Sequence, residues 1–163
     1  MNRLRVVLPL ALLLLAADCT TKQLAIETLS PEQVPHPVVG DVVRFTLAYN
    51  RGAAMSLPLG SPPVLVALTL VVLTVLGRLL WQTPGDATLR RLAIGLILGG
   101  ALGNLFSRLL NPRGVVDFID IGLGAQRFYI FNVADIGVVV GAGLLAWSLH
   151  REERETNRPA ATP

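Results

Sequence analysis

Apolar residues gather into four long runs, at about 4–25, 63–81, 92–110 and 128–149, parted by stretches rich in Pro, Gly and Arg. A helix needs about 20 apolar residues to cross the hydrocarbon core of a bilayer, and each run approaches or reaches that length. Two intervening stretches carry a different pattern. After Pro31, Pro35 and Pro37, the run Val42-Val43-Arg44-Phe45-Thr46-Leu47-Ala48-Tyr49 is β-branched and aromatic and ends at the turn signal Asn50-Arg51-Gly52. Residues 53–57 are a return strand or the floor of a pocket, so a β region is expected over about 40–57. Val115 to Ile121 is a second strand-like run (about 114–121), between the turn Asn111-Pro112-Arg113-Gly114 and Gly122.

Composition strengthens the membrane reading. The chain is 52% hydrophobic and 15% charged, against about 25% charged in a soluble domain. Its net charge of +3 is spread out, without the dense basic block of a nucleic-acid binder. A single cysteine, Cys19, allows no internal disulfide, and His36 and His150 lie too far apart in sequence to suggest a zinc site. The first run also fits a cleaved secretory or lipoprotein signal, with Arg3 and Arg5 ahead of it and Cys19 near its end. Asp18 directly before that cysteine suits a cleavage site poorly, and a retained helix is expected.

The polar residues inside the apolar runs fall near their ends. Asp18 and Lys22, at i and i+4, share a helix face where carboxylate and ammonium can meet; Lys22 can also snorkel to the headgroups. Gly95, Gly99 and Gly103 recur every four residues, a spacing that lets a second helix approach. Gly100, Asn104, Ser107 and Arg108 form a polar face leading to the outer end of the third run. Asn132 and Asp135 share a face at the start of the fourth, close in sequence to Asp117 and Asp120. An even number of spans puts both termini on one side. Placing them in the cytoplasm leaves eight basic residues inside and six outside, in keeping with the positive-inside rule. The architecture expected is an all-α polytopic membrane protein: four transmembrane helices with a small extracytoplasmic β-sheet cradle. Residues 1–150 make one domain and 151–163 a disordered cytoplasmic tail.

An ionisable residue at membrane depth is costly and marks a functional site by default. Asp117 and Asp135 are the candidates for a shared site. Two carboxylates held together cannot both ionise cheaply, so one keeps a proton while the other stays charged, as an aspartic peptidase requires. No nucleophile–base set suggests a serine or cysteine peptidase. Spacing alone also admits a polar membrane scaffold, a small transporter, or a divalent-cation site of Asp117, Asp120 and Asp135.

Five blocks in order carry a resemblance: Asp18-Cys19-Thr20-Thr21-Lys22; Tyr49-Asn50-Arg51-Gly52-Ala53-Ala54; Gly99-Gly100-Ala101-Leu102-Gly103-Asn104 continuing to Arg108; Val115-Val116-Asp117-Phe118; and Phe131-Asn132-Val133-Ala134-Asp135. From about Leu4 to Leu149 the chain resembles the lipoprotein signal peptidases (signal peptidase II), four-span aspartic peptidases of the bacterial inner membrane. The resemblance implies a catalytic pair of Asp117 and Asp135 and no metal or organic cofactor. It implies a prolipoprotein substrate whose lipobox cysteine already bears diacylglyceryl, cut just before that cysteine, and inhibition by globomycin. Membrane lipid is the other partner implied, and a monomer is the expected state. Asp18, Lys22, Asn50, Gly52, Gly100, Asn104, Arg108 and Asn132 would line or brace the pocket. Asp18 would bond to backbone near the Asn50 turn, Arg108 to substrate carbonyls, and the acyl chains would lie along the apolar faces beside the Gly-rich helix. A homologue that binds lipoprotein precursors without cutting them, or a scaffold, is the alternative. Two positions depart from the family pattern: Ser107 stands where Asp is usual, which would turn Arg108 toward Asp117 or Asp120, and Met55 where an aromatic is common.

Overall fold

The structure, a computed structural model, describes residues 4–52 and 61–156. The expected return strand at 53–57, with Met55, therefore lies outside the described residues. The element order is α1 (Leu4–Thr28), β1 (His36–Val39), β2 (Val43–Asn50), α2 (Pro62–Gln82), α3 (Thr88–Leu110), β3 (Val115–Leu123), β4 (Gln126–Arg127) and α4 (Val133–Thr156). All four helices are long and apolar enough to cross a membrane. The strands form one antiparallel sheet in the order β1-β2-β3-β4.

Helix association in lipid gains little from the hydrophobic effect and relies on close packing of small residues. Here α3 is the central helix. A Cβ at Gly99 would stand 2.8 Å from the Ala11 carbonyl oxygen of α1, and one at Gly100 would run into the Ala134 carbonyl of α4. The glycine faces of α3 are thus filled by α1 on one side and α4 on the other. Helix α2 packs against α3. Leu12 and Leu13 of α1, Leu68, Val71 and Val75 of α2 and Val139 of α4 point outward, as lipid-facing residues do. In α2, Thr69 and Thr74 return their hydroxyls to the carbonyls of Leu65 and Leu70, both at 2.8 Å, so neither leaves a polar group in the apolar run.

The helix that departs most from the sequence reading is the last, at both of its ends. The last helix starts at Val133, not near Phe128, because 128–131 pair with β3: Phe128 N–H donates to Ile121 O at 2.7 Å and Phe131 N–H to Ile119 O at 3.0 Å. These aromatic and β-branched residues suit an extended chain as well as a helix. The same helix continues to Thr156, through the first part of the stretch read as a disordered tail. Its charged turn is held by an ion pair from Glu152 to Arg90, at the start of α3. Strands β1 and β4 were not read from the sequence; Pro37 within β1 masked the first.

Candidate active site

The sheet and the end of the bundle meet where β3 enters the core. Val115, Val116, Asp117 and Phe118 are all buried, and Asp117 lies opposite Ala48 of β2. The extended segment before α4 runs back along β3, with Phe118 and Ile119 N–H groups both donating to Phe131 O. This return delivers Asn132 beside Asp117 and starts α4 there.

Asn132 is fully buried and bridges the two aspartates. Its Nδ2 donates to Asp117 Oδ1 at 2.6 Å and to Val116 O at 3.3 Å. Its Oδ1 accepts the Asp135 backbone N–H at 3.0 Å, while Asp135 Oδ2 accepts the Asn132 N–H at 3.1 Å. This is a reciprocal capping box at the first turn of α4, with an acidic residue at the third helical position. Asn104 of α3 closes the other side, donating from Nδ2 to Asp135 Oδ1 at 2.8 Å.

A second polar layer lies behind the first. Lys22 Nζ donates to Asp18 Oδ2 at 2.7 Å and to Asn104 Oδ1 at 2.9 Å. Lys22 is turned inward and only 5% exposed, so it does not snorkel to the headgroups. Asp18 accepts the Ala134 N–H at 2.9 Å, not a backbone group near the Asn50 turn. A carboxylate at a helix N-terminus satisfies an orphan donor and meets the positive end of the helix dipole. The sequence reading missed Gly103: a Cβ there would strike the Asp18 carboxylate, so its small size makes room for the ion pair. Gly100 packs against Ala134 and Val138 of α4.

Asn50 and Gly52 form the rim. Asn50 Oδ1 accepts the Gly52 N–H at 2.9 Å, and the Asn50 side chain also hydrogen-bonds to Asp117. Burial, and then the nearby charge of Asp135, push the Asp117 carboxyl up to about 7. Arg108 donates from Nη1 to Asn104 O at 3.3 Å, and its charge acts on Asp135 and Asp117. It does not turn to Asp120. That carboxylate is held in the sheet by Arg127 Nε at 2.9 Å, Thr46 Oγ1 at 3.1 Å and Arg44 Nε at 3.3 Å. Burial would raise Asp120, but the hydrogen bonds of Arg127 and Thr46 and the charges of Arg127 and Arg44 keep it below the usual carboxylate range. A cation site of Asp117, Asp120 and Asp135 does not assemble: among the described residues no three His, Cys, Asp or Glu side chains are grouped to hold a metal. Ser107 Oγ donates back to Gly103 O at 3.2 Å.

Two openings adjoin Arg108. One, of about 140 Å³, lies among Asn50, Arg51, Pro62, Asn111, Pro112 and Gly114. The other, of about 410 Å³, is an apolar groove between α2 and α3, lined by Pro63, Val66, Ala67, Leu70 and Leu109. An open apolar face of α3 therefore lies beside α2, while α1 and α4 fill its glycine faces.

The sequence model of the family described as signal peptidase (SPase) II matches residues 10–151. The chain belongs to the signal peptidase II family. A lipoprotein signal peptidase of Mycobacterium avium is 41% identical over 154 residues, covering 88% of this chain and 78% of that one. One from Moorella thermoacetica is 37% identical over 140 residues, covering 86% and 89%. Among solved structures, a bacterial membrane enzyme determined by the in meso method at 2.3 Å superposes with a TM-score of 0.81 at 28% identity, covering 96% of this chain and 93% of that one. A second, determined by the same method at 1.9 Å, gives 0.74 at 30% identity. The chain is thus an aspartic peptidase of the lipoprotein-processing kind, built as a multi-pass membrane protein.

Proposed function

We propose that this protein removes the signal peptide from diacylglyceryl-modified prolipoproteins by cutting before the lipidated cysteine, with Asp117 and Asp135 as the catalytic pair. The observation that carries this reading is the bridging of the two carboxylates by one buried asparagine, Asn132. One aspartate is charged and takes a proton from water as its oxygen bonds to the scissile carbonyl carbon. The other gives its proton to the carbonyl oxygen. When the C–N bond breaks, the nitrogen leaves with the first proton and the second returns to its aspartate. The products are the signal-peptide acid and the amine of the lipidated cysteine.

The other site residues receive supporting roles. Asn50, Gly52 and Arg108 line the approach, and the guanidinium offers its free donors to substrate carbonyls. Asn104, Asn132, Asp18 and Lys22 hold the pair in place. Gly100 sets the spacing of α3 and α4. The acyl chains lie in the α2–α3 groove, whose mouth is Arg108. Both parts of the substrate are already in the membrane, so this burial adds selectivity for a lipidated cysteine. The protein sits as a monomer in a bacterial inner membrane, with both termini cytoplasmic and the pair near the outer face. Globomycin occupies the same site.

The test is cleavage of a diacylglyceryl-modified prolipoprotein by the purified protein in lipid, beside folded Asp117→Asn and Asp135→Asn and a chelator-treated sample. Turnover lost in both variants and untouched by chelator is the expected result. A folded parent that binds the precursor without cutting it would point instead to a precursor-binding scaffold.

A further inference from the structure

The catalytic pair is symmetric in chemistry but not in setting. Asp135 sits in the first turn of a 24-residue helix, and both its oxygens accept N–H donors, Asn104 Nδ2 at Oδ1 and the Asn132 backbone at Oδ2. The positive end of the helix dipole favours an anion there. Asp117 sits on a strand, with no helix end behind it, and is 3% exposed, whereas Asp135 is half-buried.

The donor from Asn104 depends on which way its amide faces. An amide can turn over, presenting oxygen where nitrogen had been. Here Asn104 Oδ1 accepts from the Lys22 ammonium at 2.9 Å and from Asn132 Nδ2 at 3.2 Å. An ammonium has only donors, so the amide oxygen must face it and Nδ2 must face Asp135. Lys22 is in turn fixed by Asp18, itself anchored on the Ala134 N–H.

We propose that Lys22 is a positioning residue that locks the Asn104 amide toward Asp135, making Asp135 the anionic base and Asp117 the proton-carrying acid. The proposal rests on the aspartate-pair reading above and assigns its two roles. Asp135 takes the proton from water; Asp117 protonates the carbonyl oxygen. The upward displacement of Asp117 to about 7 by burial and by Asp135 agrees with that assignment. The charged groups acting on the pair are Lys22 and Asp18 from α1 and Arg108 from α3. Asn50 from β2, with Asn104 and Asn132, supplies the neutral hydrogen-bonding contacts.

Two measurements test this in bilayer-reconstituted protein. The first is the infrared carbonyl band of a protonated carboxyl at mildly acidic pH. It should vanish in Asp117→Asn and persist in Asp135→Asn; the reverse pattern, or loss in both, overturns the assignment. This reading needs no turnover, so it stands apart from failure of the peptidase reading, which would show as undiminished or absent cleavage across parent and aspartate variants. The second is the pH profile of kcat/KM. Lys22→Met and Asn104→Leu should move the acid limb to higher pH, and Lys22→Arg should restore it toward the parent position. A uniform loss of rate with the limb unmoved would show Lys22 to be merely structural. If Lys22→Met does not fold, Asn104→Leu decides the same point.

Discussion

Asn132 and Asp135 hold each other: the side chain of each accepts the backbone N–H of the other, at 3.0 and 3.1 Å. One device thus starts a membrane helix and aims a carboxylate. The side-chain Nδ2 of Asn132 donates to Asp117 Oδ1 at 2.6 Å, so the cap also orients the second carboxylate. Asn132→Ala should cost about 1 kcal/mol of stability as a lost cap and about a hundredfold in kcat as a lost site donor. Asn132→Ser separates the two roles. It keeps a capping oxygen but cannot reach Asp117 with an amide, so thermal stability should recover while turnover stays low.

The pH dependence of stability should carry opposite contributions from the two buried aspartates of β3. Asp117 has a folded value near 7, above its ordinary 3.8. The folded state therefore holds a proton that the unfolded chain releases, and stability falls as pH rises through that window. Asp120 is displaced downward, so its contribution is present above the ordinary value and is lost as pH falls. Asp117→Asn should accordingly melt higher than the parent at alkaline pH, with the gap closing in acid. Arg127→Ala should weaken the acid-sensitive part and loosen the cradle. Melting curves across the pH range read both effects.

The sequence made much of this legible, and the misses have physical causes. Four apolar runs were enough for four helices, because a bilayer imposes a length that few soluble segments meet. Asp18 and Lys22 were readable as a pair from their i, i+4 spacing, and they meet at 2.7 Å. The direction of Lys22 was not, because whether a lysine faces headgroups or protein depends on the helix packed beside it. Likewise the start of α4 was hidden: Phe128 to Phe131 are apolar whether they enter the membrane or pair with β3, and only the cap at Asn132 decides. Gly103 appeared as one of a packing stripe, and nothing local distinguished it from Gly95 as the place where a carboxylate from α1 would fit.

That fit yields a further expectation. Gly103→Ala would put a methyl into the Asp18 carboxylate and disturb the bond from Lys22 to Asn104. Overpacking of this kind costs about 1–3 kcal/mol, and turnover should fall with it because the disturbed contact supports the site. Gly143→Ala, also in a membrane helix, meets nothing within 4 Å and should be tolerated. Equal losses at both positions would show that the cost is one of helix flexibility, not of space for the ion pair.

Ser107 gives the last expectation. Where the resemblance implies a carboxylate this chain has Ser107, and the hydroxyl spends itself on the Gly103 carbonyl of its own helix. Arg108 is left with Asn104 O as its hydrogen-bond partner among the described residues, with the charges of Asp135 and Asp117 acting on it. Its fork is therefore less constrained than a paired arginine would be, and ordering its long side chain costs entropy when substrate binds. Ser107→Asp adds a carboxylate beside the guanidinium on a half-buried face. Such a charge pair is worth roughly 0.2–1 kcal/mol when partly solvated, so activity should be equal to the parent or a few-fold higher, mainly through KM. A large loss would mean that the added negative charge is felt by the aspartate pair before it is satisfied by Arg108, and the pH profile would then move along with the rate.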